Sequence, residues 1–375
     1  MFSNWFLKSF RILLLPFALL YGIIVWVRNR LYDRNILRSS TFGLPLICVG
    51  NLSVGGTGKS PMVEYLVLRL KDRFNVATLS RGYKRKTRGY ALANEHTTAI
   101  DIGDEPMQFH RKFPQIPVAV GEERIVAIPQ LLHDRPETEV IVLDDAFQHR
   151  SIKAGLNILL TDYNNLFTRD FFLPTGDLRD ERKSYQRAQV IMVTKCPVVL
   201  AEEEKMLIIK EIDPLPHQKV FFTTISYGTP YHIIKHVLLS LEEQTEVLLV
   251  TGIANPKSLQ AFLESQVDSY QMLSYGDHHI FSIDDWRDIK KRFGGMEAEK
   301  KIILTTEKDA MRLLKFEEEL HNVPFYVIPI EHRFLFNEGT MFDNIVIKFI
   351  ENFKQTAETN GTERQQKDET QEKKS

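Results

Sequence analysis

The stretch that most constrains this chain runs from residue 45 to residue 73. An apolar run, PLICVG at 45–50, leads through Asn51-Leu52 into Ser53-Val54-Gly55-Gly56-Thr57-Gly58-Lys59-Ser60, and Pro61 opens an amphipathic stretch over 61–73. Strand, glycine loop and helix in that order are the setting of a phosphate-binding loop. Glycines let the backbone curl so that successive N–H groups converge on phosphate oxygens at the positive end of the helix dipole. Lys59 supplies a point charge for the β- and γ-phosphates of a nucleotide, and the Ser60 hydroxyl can ligate Mg2+. One departure is visible: the usual pattern opens on Gly, whereas Ser53 stands there and Gly55 and Gly56 keep the loop flexible.

The same alternation continues along the chain. Residues 76–80, 140–143, 157–161 and 190–194 are short apolar runs without polar alternation, which predicts buried strands of a parallel sheet covered on both faces. With helical spacing at 61–73 and 122–133, they predict a P-loop NTPase-type, doubly wound, mostly parallel α/β domain over residues 39–215. After Pro214 and Pro216, runs at 220–226, 247–251, 301–306 and 325–330 predict a second, smaller α/β domain over 216–353. The cleft between the two is where a ligand is expected. From Lys354 the chain is polar, without aromatic residues or apolar periodicity, which predicts a disordered tail over 354–375.

Composition excludes several classes. Apolar residues make up 43 % of the 375 and charged ones 26 %, unlike a wholly disordered chain, a collagen-like fibre or a polytopic membrane protein. Lys and Arg number 48 against 49 Asp and Glu, so there is no global basic field and nucleic acid is not an expected partner. No protein partner can be inferred. Cys48 and Cys196 lack a C-x-x-C or Cys/His setting, so neither a disulfide scaffold nor a zinc site is expected, and a reducing compartment suits them.

The N-terminus differs from the rest. Residues 12–27, ILLLPFALLYGIIVWV, carry no charge; Lys8 and Arg11 precede them, and Arg28, Arg30, Arg34 and Arg38 follow. Sixteen helical residues span about 24 Å, short of the roughly 30 Å hydrocarbon core, although Phe2, Trp5, Phe6 and Phe10 could lengthen the apolar body. A signal peptide lacks its small-residue cleavage site here, and a buried core helix is the plainer alternative. The expectation is a membrane-anchoring helix over residues 1–38, spanning or interfacial. Its arginines would keep the bulk of the chain at the cytoplasmic face of the inner membrane and attract anionic lipid.

Carboxylates able to complete a nucleotide site stand at two places. Asp144-Asp145 ends the strand over 140–143, where P-loop enzymes hold magnesium. Gly103-Asp104-Glu105-Pro106 offers a group to receive the proton of an attacking hydroxyl, while Asp104 alone also reads as a helix N-cap. Asp277-His278-His279 is equally ambiguous. Residues 81–88, from Arg81-Gly82-Tyr83 to Arg88, pack five positive charges after a strand, suiting a second anionic group, acidic lipid or plain solvent.

Together these motifs resemble the tetraacyldisaccharide 4′-kinases, the lipid A 4′-kinases of Gram-negative bacteria. The resemblance is carried in order by residues 51–61, 80–83, 103–106, 143–149, Leu173-Pro174 with Gly176 and Leu178-Arg179, 251–256, 277–279 and Thr306-Glu307-Lys308-Asp309. The serine opening the glycine loop belongs to that family's own variant. The resemblance implies transfer of the γ-phosphate of ATP to the 4′-hydroxyl of a tetraacylated glucosamine disaccharide 1-phosphate, an anionic lipid. It implies Asp104 as general base oriented by His278, and residues 53–60 (Ser53, Val54, Gly55, Gly56, Thr57, Gly58, Lys59, Ser60) as the nucleotide loop. Ser60, Asp144, Asp145, Glu105 and Gln148 would serve Mg2+, and Arg81, Tyr83, His149 and Arg179 the lipid. Ser60 stands where Thr is common and Ala146 where Gly is common; Asn255-Pro256 and 306–309 match without a mechanistic role. The alternative reading is a membrane-tethered ATPase or GTPase switch without a small acceptor.

Overall fold

The computed structural model describes residues 11–372 apart from Ala254 and His278, with side chains described to residue 356. The chain enters through helix α1 (Leu15–Asp33) and then alternates as the sequence predicts: β1 (Leu46–Asn51), α2 (Lys59–Leu70), β2 (Val76–Ser80), β3 (Ala91–Leu92), α3 (Ala99–Ile102), α4 (Asp104–Lys112), β4 (Val118–Val120), α5 (Arg124–Asp134), β5 (Val140–Asp144), β6 (Leu156–Asp162), β7 (Val190–Thr194), α6 (Glu202–Ile212) and β8 (Lys219–Tyr227). Next come β9 (Tyr231–His232), β10 (Glu246–Thr251), α7 (Lys257–Glu264), β11 (Tyr270–Ser274), α8 (Ile283–Gly294), β12 (Lys301–Thr306), α9 (Glu307–Leu313), α10 (Glu317–Leu320), β13 (Phe325–Ile328), β14 (Ile330–Phe334) and α11 (Gly339–Glu372).

Two sheets result. The larger has nine strands in the order β14-β8-β7-β6-β1-β5-β2-β4-β3, parallel except at its edges, where β14 and β3 run antiparallel to their neighbours. The smaller has the order β11-β10-β12-β13-β9, with only β9 antiparallel. Both faces of the larger sheet are buried: along β1, Leu46 and Cys48 join one apolar layer and Ile47 and Val49 the other. That double burial is why its strands read as continuous apolar runs. Cys48 and Cys196 are buried and free.

The domain boundary expected at 215/216 is corrected. β8 and β14 both pair in the larger sheet, so the smaller body comprises residues 228–329, inserted between them. Pro214 and Pro216 mark only the α6–β8 loop, and the pattern of β8 is that of any half-buried strand. Phe342, Val346 and Ile350 of α11 pack on the larger sheet, and Asp343 accepts from the Tyr65 hydroxyl of α2 at 2.8 Å. The segment from 354, expected as a disordered tail, continues α11 to Glu372. Its Glu, Gln, Lys and Arg are good helix formers, and no proline interrupts them.

Helix α1 lays Ala18, Gly22, Val25 and Asn29 against the body. Asn29 donates to Asp180 at 2.9 Å, the Tyr21 hydroxyl donates to the Arg179 carbonyl at 3.0 Å, and Arg28 donates to the Gln148 carbonyl at 2.9 Å. Phe17, Leu20, Ile23, Ile24 and Trp26 remain exposed. Among the described residues no helix is long and apolar enough to cross a membrane; Phe2, Trp5, Phe6, Lys8 and Phe10 lie outside them.

Candidate active site

The site is built where β1 ends. Asn51, fully buried, donates to the Thr57 hydroxyl at 3.0 Å; its Oδ1 accepts from Lys59 at 3.4 Å and from Arg179 at 2.5 Å. One side chain thus fixes the base of the glycine loop and the direction of its lysine. Ser53 donates to Asp170 at 3.4 Å, and the Val54 amide donates to the Asp177 carbonyl at 2.7 Å, tying the loop's outer limb to residues 170–178. Gly58, at φ +85°, caps α2, and Pro61 in the first turn has no N–H to satisfy. The leading N–H groups of α2 have no carbonyl four residues back.

Beneath the loop lies His332, a buried residue of β14 that the sequence reading missed. Its Nε2–H donates to the Gly58 carbonyl at 2.8 Å, and its Nδ1 accepts from the Thr223 hydroxyl at 3.0 Å. A carbonyl only accepts, so the proton sits on Nε2. Burial pushes the imidazole pKa down to about 4. A Cβ on Gly58 would stand 2.9 Å from this ring, so the glycine is needed for its φ and for the close approach. A lone His in IEHRF carries no motif that would have revealed it.

Asp144 ends β5 directly beside Val49 of β1. Its Oδ2 accepts from the Ser80 hydroxyl at 3.3 Å, while Oδ1 is buried without a hydrogen-bond partner. Burial first, then Glu105 and Asp145, pushes its pKa up to about 7. Asp145 turns the chain at φ +49°, pairs with Arg179 and lies 3.8 Å from Lys59. Burial opposes its charge, yet Lys59 and Arg179 hold it down at about 2. The left-handed residue is therefore Asp145, and the methyl of Ala146 is accommodated in the apolar layer below.

Asp104 and Glu105 open α4, with Gly103 as the capping position rather than Asp104. Gly103 has φ +95°, and a Cβ there would meet the Tyr83 carbonyl at 2.9 Å, so the 81–83 and 103–106 loops pack backbone to backbone. Lys308 lies 2.8 Å from Glu105 and Arg312 lies 3.2 Å from Asp104, both from α9 of the smaller body. Burial alone would raise the Glu105 pKa; Lys308 and Lys59 bring it below the ordinary value.

Comparison with known proteins then decides the family. The profile of LpxK, tetraacyldisaccharide-1-P 4′-kinase, matches residues 10–350. The chain belongs to that family. It is 46 % identical over 353 residues to the tetraacyldisaccharide 4′-kinase of Bacteroides thetaiotaomicron, covering 90 % of this chain and 92 % of the relative. Over 351 residues it is likewise 46 % identical to that of Flavobacterium psychrophilum, covering 93 % and 98 %. Among solved structures, LpxK from Aquifex aeolicus in complex with ATP superposes with a TM-score of 0.71 at 28 % identity, covering 91 % of this chain and 99 % of that one.

Measured against the kinase family's expected residues, the structure gathers most of them and redirects some. The Gln148 side-chain amide donates to the Asn51 carbonyl at 2.5 Å, at the base of the glycine loop. Arg179 pairs with Asp145 and Asn51 on the loop side. His149 lies among cations; burial, then Arg124 and Arg81, push its pKa down to about 4. Arg124 is buried and donates to the Asp144 carbonyl at 3.4 Å, a further residue the sequence reading missed because it sits at the start of an ordinary helix. Arg81 and Tyr83 are exposed at the mouth of their loop, whereas Arg85 turns inward to Glu122 at 2.7 Å. His278 lies outside the described residues. Its neighbour His279 hydrogen-bonds Asp285 at 2.9 Å and stacks on Tyr275.

Among the described residues no group of three or more His, Cys, Asp or Glu is arranged to hold a metal. Magnesium in kinases needs only one or two carboxylates plus a hydroxyl and substrate phosphates. The orphaned Oδ1 of Asp144, an oxygen donor at the end of the strand beside the glycine loop, fits that requirement.

Proposed function

We propose that this protein transfers the γ-phosphoryl group of ATP to the 4′-hydroxyl of a tetraacylated glucosamine disaccharide 1-phosphate, giving the bis-phosphorylated lipid A precursor. The observation that carries this reading is the convergence, where β1 and β5 end, of a glycine loop, Lys59 beside Asp145, the orphaned carboxylate of Asp144, and the start of α4, whose Glu105 feels Lys59 and Asp145. Residues 53–60 act as the P-loop, their N–H groups and Lys59 cradling the triphosphate. Ser60 and Asp144, with Glu105 close by, would hold Mg2+. Bound there, the metal would neutralise charge on the β- and γ-phosphates.

Asp104 takes the proton of the 4′-hydroxyl as that oxygen bonds to the γ-phosphorus. The bond to the β-phosphate oxygen breaks and ADP leaves. His278 is assigned to orienting Asp104 on the family resemblance. Arg81 and Tyr83, exposed, and His149, half-buried, are assigned to the anionic lipid, with Arg124 buried behind them. Helix α1 serves as an interfacial anchor at the cytoplasmic face: its exposed Phe17, Leu20, Ile23, Ile24 and Trp26 enter the headgroup boundary, and Arg30, Arg34 and Arg38 meet anionic lipid.

The test is mass spectrometry of a tetraacylated disaccharide 1-phosphate incubated with protein, ATP and Mg2+. One added phosphoryl group is expected. ATP turnover equal with and without the acceptor, and no phosphorylated lipid, would replace the kinase by a nucleotide switch.

A further inference from the structure

The segment 306–309 matches the family yet has no part in the chemistry described above. It forms the start of α9, and the helix is fixed rigidly within the smaller body. The Thr306 hydroxyl accepts the Asp309 amide at 3.2 Å. Asp309, fully buried, accepts from the Thr306 hydroxyl at 2.8 Å and from the Gly252 amide at 3.0 Å. From this base α9 reaches across to the larger body at three points. Glu307 takes Lys112 at 2.7 Å, and Lys112 also pairs with Glu64 of α2 at 2.5 Å. Lys308 takes Glu105 at 2.8 Å. Arg312 takes Asp104 at 3.2 Å.

The surroundings of Arg312 are exacting. Its side chain is only 6 % exposed: Nε lies 3.2 Å from Asp104 and donates to the Lys308 carbonyl at 3.4 Å, Nη1 donates to the His279 carbonyl at 3.0 Å, and Nη2 lies 3.1 Å from Asp309 without a hydrogen bond. A buried planar guanidinium hydrogen-bonded through two of its nitrogens to carbonyls of the smaller body has little rotational freedom, so its position reports that of the smaller body. Ion pairs drawn partly out of water recover little beyond their desolvation cost, and apolar residues would join two bodies as well. Two cations spent on the two adjacent carboxylates of one loop therefore point to geometry rather than adhesion.

We propose that Lys308 and Arg312 are positioning residues for phosphoryl transfer, holding Glu105 and Asp104 in their working orientation only while the smaller body is seated on α4. The inference rests on the kinase reading, since it presumes that Asp104 and Glu105 serve the reaction.

The experiment uses the full chain with ATP, Mg2+ and tetraacylated disaccharide 1-phosphate in detergent micelles, comparing Arg312→Met, Arg312→Lys, Lys308→Met and Lys308→Arg. Each Met variant should lose about 10- to 100-fold in kcat while KM for ATP moves less than about 3-fold. Lys308→Arg should recover most of the rate. Arg312→Lys should recover only part, because one ammonium cannot meet both Asp104 and the His279 carbonyl in the fork geometry of a guanidinium. Lys308 is 30 % exposed, so its Met variant empties no core and decides the matter if Arg312→Met does not fold. Met variants with wild-type kcat, or with rate losses that merely track the folded fraction in a thermal melt, would overturn the proposal. Absence of product from the wild-type protein would instead overturn the kinase reading.

Discussion

The glycine loop and helix α9 serve one site by opposite means. The loop's internal contacts are local: Asn51, Thr57 and Lys59 are within nine residues of one another, and Asn51 holds the other two. Helix α9 works through side chains that meet partners remote in sequence, as Glu307 meets Lys112 across 195 positions. The loop is therefore folded locally and only braced from afar, by Asp170, Asp177 and His332 of the same larger body, whereas the α9 contacts exist only when two bodies are docked. The first kind of device binds; the second makes what is bound depend on closure.

Substitutions can break or sharpen this contrast. The largest effect is expected from Lys59→Ala, which removes the charge at the transferring phosphate. Phosphorylation of the lipid acceptor should fall by about 10³-fold or more in kcat/KM, and a loss under tenfold would move the principal charge elsewhere. Asp104→Asn should lower kcat by roughly 10²- to 10⁴-fold with KM for ATP near wild type. A normal rate with raised KM would instead assign Asp104 to the nucleotide.

Gly58→Ala tests the loop's own geometry. A methyl group at φ +85° and 2.9 Å from His332 should cost about 1–3 kcal/mol in urea unfolding, and an unchanged midpoint would show that β14 yields freely. The last effect concerns His332 itself and is small at neutral pH, appearing only as acid is added. The unfolded chain takes up a proton near pH 6.5, whereas the folded imidazole resists until about pH 4. This group's contribution is thus complete above pH 6.5 and declines as pH falls through that window, by about 3 kcal/mol in all. His332→Gln, which keeps an N–H for Gly58, should flatten the acid limb of stability against pH. An unaltered slope would mean that other groups govern it.

What could be read from the sequence follows the same division. Strands 76–80 and 190–194 were visible because a doubly covered sheet leaves continuous apolar runs. The loop was visible because its chemistry is contiguous, and Asp144-Asp145 because a strand end places it beside that loop. Arg312, Arg124 and His332 were not visible, since each is an ordinary residue of an ordinary element until the fold brings its partner. The domain boundary failed for a related reason: β8 belongs with β14, which follows a hundred residues later, and pairing at that distance leaves no local mark.

That pairing has a mechanical corollary. Tyr227 faces Ile330 across the β8–β14 ladder, and the Gly228 amide donates to the Pro329 carbonyl at 3.0 Å, so the chain departs for the smaller body and returns at adjacent rungs. The five-stranded sheet thus joins the larger one through one pair of adjacent rungs, and His332 under the glycine loop sits two residues beyond them. A tight turn of the Asn-Gly kind could bridge the same gap, which would leave the nine-stranded sheet whole while removing Lys308 and Arg312 from the side of Glu105 and Asp104.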